Sequence, residues 1–136
     1  MPILSDIVAH NYSSSEPDNI SIDSRAGVLE WSVTLAGFQD SNTGQWVVYC
    51  PSLEISGYGE TTEHALELMR FNLEEYFHYL LELSYPEVIT ELKSLNWGPM
   101  QSEEGVLALQ AEFNIEDKCK ELGIDIGTIQ FMRMTA

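Results

Sequence analysis

Basic side chains are what this chain most lacks. Six Lys and Arg stand against 22 Asp and Glu, a net charge of −16 over 136 residues. Such a surface repels phosphate at long range and attracts basic partners. The deficit is uneven. Residues 1–85 carry thirteen acids against Arg25 and Arg70, and residues 86–136 carry nine against Lys93, Lys118, Lys120 and Arg133. Solubility alone accounts for an acid excess of this kind. So does an acidic face that docks on a nucleic-acid-binding protein, which is itself basic.

Cysteine is also sparse. Cys50 and Cys119 share no CxxC spacing, which argues against a disulfide framework and for small packing side chains in a reducing compartment. No stretch approaches the roughly 18 apolar residues that a membrane span needs. The first residues lack a basic segment followed by an apolar run, so no signal peptide is expected. These features point to a cytoplasmic chain with no membrane partner.

Catalytic patterns are missing as well. There is no G-x-S-x-G, Walker A or G-x-G-x-x-G motif. His64 and His78 lie fourteen apart, unlike metal-ligand spacing such as H-E-x-x-H. Cys50 has no base nearby in sequence to lower its pKa. Gly57-Tyr58-Gly59 is too short to cradle phosphate, and Glu60 beside it opposes an anion. A nuclease of the RNase H type needs carboxylates clustered on adjacent strands around divalent metal. Glu30, Asp40 and Glu54 are too scattered for that. No catalytic residue, metal ligand or cofactor site is expected, and the chain reads as a non-enzyme.

What is present is a series of ordered elements. Residues 1–26, rich in Ser, Asn, Asp, Pro and Gly after a short apolar start, read as an arm or long loop, with NISID as a further edge strand. Val28 to Phe38 alternates apolar Leu29, Trp31, Val33 and Leu35 with polar partners, as a half-buried strand does. QDSNTG supplies a hairpin turn into a second strand, Trp46 to Cys50, which Pro51 ends. A third strand, Glu54 to Tyr58, completes a meander. Thr61 then caps a helix of about Thr62 to Leu83, whose apolar stripe includes Ala65, Met69, Leu73, Phe77 and Leu80. A second helix spans Pro86 to Leu95. Val106 to Phe113 fits either strand or helix, and its Ala, Leu, Gln and Glu content favours helix.

Residues 115–134 admit two readings. In one, Asn114 caps a helix Ile115 to Leu122, Gly123 turns, Asp125 caps a second helix, and the pair forms a helix-turn-helix with Gln130 and Arg133 as DNA contacts. In the other, Thr128 to Met134 is a terminal strand. The charge of −16 disfavours DNA in either case.

The stretch Val28 to Leu83 resembles the HicB-like antitoxin family. Val48, Pro51 and Leu53 match the family pattern V-x-x-P-x-L, and Gly59, Thr61, Glu63, Ala65 and Leu66 match G-x-T-x-E-E-A-L, with His64 in place of the second acid. The resemblance implies an α+β fold in which a three-stranded antiparallel sheet packs on one long helix, a partial RNase H-like module. Here that module would span 27–84, after the 1–26 arm and before a small, mostly helical extension, 85–136. The resemblance further implies a non-catalytic, homo-oligomeric antitoxin that occludes a small basic ribonuclease toxin (HicA-like) in a toxin-antitoxin system. Exposure and charge nominate Glu54, Tyr58, Glu60 and Glu63 as its partner-binding residues. The alternatives are a transcriptional regulator acting through residues 115–134, or a stand-alone HicB-like module with another partner.

Overall fold

The computed structural model describes residues 7–8, 16–124 and 129–136. Within them the chain runs β1 (Ile7–Val8), β2 (Asn19–Asp23), β3 (Val28–Gln39), β4 (Trp46–Cys50), β5 (Ile55–Gly59), α1 (Thr62–Leu81), α2 (Tyr85–Lys93), β6 (Trp97–Pro99), β7 (Val106–Ala111), α3 (Ile115–Glu121) and β8 (Gln130–Thr135). The described strands form one antiparallel sheet of eight. This corrects the expected fold, a three-stranded sheet on one long helix with a mostly helical extension. The supposed extension contributes β6, β7 and β8, and a single sheet carries strands from all three sequence segments.

Long strand β3 organises the sheet. One edge pairs along Ser32–Gly37 with β8, which in turn pairs with β1. The other edge is shared: Val28–Ser32 pairs with β2, and Ala36–Gln39 pairs with β4. The sheet therefore forks, with β2, β7 and β6 forming one branch and β4 and β5 the other.

Two differences from the sequence reading have a common cause. NISID was expected at an edge, but β2 lies between β3 and β7. Ile20 and Ile22 are buried, while the polar residues between them face the other side, so two apolar residues suffice once both edges are paired. Val106–Ala111 was expected as helix and is strand β7. Its helical composition loses to a period of two that buries Leu109 and Ala111 beside Ile20 in the core.

Helices α1 and α2 cover one face. From α1, Ala65, Met69, Leu73, Phe77 and Leu80 are buried, and Phe77 stacks on Trp31 of β3 with ring centroids 4.7 Å apart. The Tyr76 hydroxyl donates to Glu91 Oε1 of α2 at 3.2 Å. Helix α3 covers only one end of the opposite face, where Ile115 and Cys119 pack on Ala36. Its cap is Asn114, as its sequence predicts, and Gly123 takes a left-handed φ of 77°. Residues 130–135 then form β8, so no second helix follows there. The Asp125 cap and the start of that expected helix lie outside the described residues.

At the fork, residues 33–35 of β3 have neither β2 nor β4 beside them, and the Thr34 N–H would lack an acceptor. Asp18, 1% exposed, fills the gap. It accepts from the Thr34 N–H at 3.0 Å, the Thr34 hydroxyl at 2.7 Å and the Ser52 hydroxyl at 2.6 Å. Arg133 Nη1 lies 3.7 Å from its carboxylate. A buried carboxylate persists only when paired and hydrogen-bonded in this way. Removing it takes the nearest buried carboxylate from Arg133 and leaves the Thr34 N–H and the Thr34 and Ser52 hydroxyls without that acceptor. Asp18→Ala should therefore lower the free energy of unfolding by about 3 kcal/mol or more. Asp18→Asn, which keeps the shape but puts a donor among donors, should cost about 1–3 kcal/mol. Urea titrations of the two variants check this, and wild-type stability in Asp18→Asn would refute it.

Candidate functional site

The motif that carried the family resemblance folds into the junction of β4, β5 and α1. The Cys50 carbonyl accepts from the N–H groups of Leu53 (3.3 Å) and Glu54 (2.8 Å), closing a tight turn around Pro51. Glu54 takes a positive φ of 56° to leave that turn. Ser52 is buried, with its hydroxyl on Asp18 and its carbonyl accepting from Trp97 Nε1 at 2.8 Å. On the helix side, Thr61 accepts from the His64 N–H at 3.1 Å as the N-cap of α1. A Cβ at Gly57 would collide with the backbone of Met69, and one at Gly59 would come within 2.7 Å of His64 Cβ. These glycines let β5 approach the helix, which is a packing requirement rather than a phosphate site.

Val48, Leu53 and Ala65 are likewise buried. Most of the motif thus serves the interior. Its exposed remainder is acidic and aromatic. Tyr58 is 57% exposed, and Glu60 and Glu63 are exposed around the start of α1. Glu54 is on the same turn but already engaged, its carboxylate 3.5 Å from Lys118 Nζ, which also lies over the Phe113 ring. The four nominated residues therefore sit on the short stretch that joins the fork turn to α1, with three of them free of any ion pair among the described residues.

The two residues nominated for DNA have different settings. Gln130 is exposed at the start of β8. Arg133 is 8% exposed; its guanidinium donates to the Ser32 hydroxyl at 2.8 Å and the Glu16 carbonyl at 2.6 Å, beside Asp18. Sequence reasoning saw Arg133 as a surface cation because its partners, Glu16 and Asp18, lie more than a hundred residues away in the chain.

Among the described residues, no group of three or more His, Cys, Asp or Glu side chains is placed to hold a metal ion. No described helix is long and apolar enough to cross a membrane.

Both thiols are buried and free. Burial first, and the charge of Asp18 second, push the Cys50 thiol from 9.0 up to about 12. Burial, and Glu116 after it, raises Cys119 as well. The native state thus keeps the Cys50 proton where the unfolded chain has lost it. Its stabilising contribution is complete below about pH 9 and is lost as pH rises toward 12. Tyr49, pushed up to about 12 by partial burial and then by Glu54, acts with the same sign from pH 10 upward. Stability should therefore fall between pH 9 and 12, and less steeply below pH 10 in Cys50→Ala. An aromatic disulfide reagent at pH 8 should react with the thiols only after unfolding. Rapid labelling of the native chain would contradict the assignment. Comparison with protein-family models, curated proteins and solved structures found no match to this chain.

Proposed function

We propose that this chain is a non-catalytic binding protein that presents an acidic surface to a small basic protein and occludes it, as the resemblance of its Val48–Leu66 motif to HicB-like antitoxins suggests. The observation that supports this reading is how the few cations are used. Arg70 is paired with Glu74 at 3.0 Å, Lys118 with Glu54 at 3.5 Å, and Arg133 with Asp18 and Glu16. Arg25 lies 3.8 Å from Asp23 and donates to the Glu104 carbonyl. Four of the six bases are thus spent on this chain's own acids, and the field beyond the surface is that of a large uncompensated acid excess.

Such a field speeds association with a cationic partner and rejects anionic ones. It favours a basic toxin over DNA, and the inward-turned Arg133 gives the DNA-binding alternative no added support.

The test is co-expression with any small basic protein that a gene adjacent to this one encodes, followed by affinity purification and stopped-flow kinetics. A complex is expected. Its association rate should fall about tenfold or more between 50 and 500 mM salt, because screening shortens the reach of the field. No complex, or an association rate indifferent to salt, would remove the reading.

A further inference from the structure

The face of the sheet opposite α1 and α2 is covered by α3 only near Ala36. At the β3–β2 junction the buried Asp18 and Arg133 lie on that face against Thr34 and Ser32, and beyond them, over the β3–β2–β7 branch, the side chains are arranged unusually. The register sets Glu30, Ser21 and Ala108 in one row across three strands. Met100, whose N–H donates to the Ala108 carbonyl at 3.0 Å, continues that row. Two small side chains are thus flanked by two large ones. In the next row, Val28, Asp23 and Val106 repeat the march across the strands. The result is a trough of about 530 Å³, with Ser21 and the buried Ala108 on its floor.

A sheet face that meets only water carries long polar side chains in its middle. This one has Ser21 and Ala108 in a middle row, and apolar side chains stand exposed at its margins: Val28 is 44% exposed and Met100 39%. Its charged lining is Asp23, Glu30 and Glu103, with no Lys or Arg. Nearby Arg25 is turned to Asp23 and to the Glu104 carbonyl.

We infer that this trough seats an amphipathic α-helix of a basic partner, its apolar stripe on Ser21 and Ala108 and its Lys or Arg side chains against Glu30, Asp23 and Glu103. The inference rests on the reading of the chain as a binder of basic protein and gives that reading a place. Width supports a helix. From β3 to the strand line of Met100 is three inter-strand steps, about 14 Å, and a helix with its side chains is about 10–12 Å across. Pairing supports it too. Both edges of β2 and of β7 are already hydrogen-bonded to neighbouring strands, so an extended peptide would find no edge to join. A helix brings its own backbone hydrogen bonds and asks only for a face. The three carboxylates exclude a phosphate-bearing ligand.

The test uses the full chain, labelled with nitrogen-15, and a peptide of Leu and Lys at helical amphipathic spacing, about 18 residues or five turns long. A peptide of the same composition in scrambled order is the control. The amphipathic peptide should shift the amides of Ser21, Glu30 and Ala108 and gain helicity on binding. Glu30→Lys, at an exposed position that leaves the fold intact by thermal melt, should weaken it about tenfold, and Glu60→Lys with Glu63→Lys much less. Shifts gathered at Tyr58, Glu60 and Glu63, or equal shifts with the scrambled peptide, would overturn the trough while leaving the basic-partner reading standing. No binding of either peptide at low salt would end both.

Discussion

Asp18 is the group on which the rest of the sheet depends. A single long strand, β3, has to serve two branches on one edge, and a fork leaves backbone groups between the branches without partners. One carboxylate at the crotch supplies the missing acceptors. Through it the segment before β2 is tied to β3 by Thr34, to the turn after β4 by Ser52, and to β8 by Arg133. Ser52 passes the connection on to Trp97 of β6. Elements far apart in the chain therefore meet at one buried charge. The neighbouring thiol, Cys50, shares that setting, within 3.5 Å of the Ser52 hydroxyl and under the field of Asp18.

The fork also explains why the two faces differ. Helices α1 and α2 span both branches from one side and bury a continuous core. On the other side, α3 covers the region near the β4 branch, and Lys118 reaches from it to Glu54. The β2–β7 branch carries the trough on its second face. A chain short of bases spends most of them on holding its own joints together, so what it offers outward is carboxylate together with exposed apolar or aromatic side chains, among them Phe71 and Tyr79 on α1, Leu122 after α3, Tyr58 beside the start of α1, and Val28 with Met100 beside the trough.

Much of the local structure was legible in the sequence. The strand from Val28, the strand Trp46–Cys50, the Thr61 cap, the apolar stripe of α1 and the Asn114 cap are all where periodicity and capping chemistry put them. The roles of the motif residues were less so. Pro51 and Gly59 belong to the family pattern, with Ser52 and Gly57 beside them, yet each answers to a turn, a buried hydrogen bond or a close approach between β5 and α1. The trough left no sequence signal, because Ser21, Ala108 and Met100 are ordinary residues until three strands place them in one row.

The sequence by itself determined the charge balance, the alternation of β3, and the start and inward face of α1, since each is carried by residues within a few positions of one another. Only the tertiary structure decided that Asn19–Asp23 is an interior strand, that Val106–Ala111 is strand and not helix, and that Arg133 faces inward. Those outcomes depend on partners at long sequence separation. A five-residue polar segment becomes a strand when both of its edges are paired. An arginine stays in the interior when a buried carboxylate is waiting there.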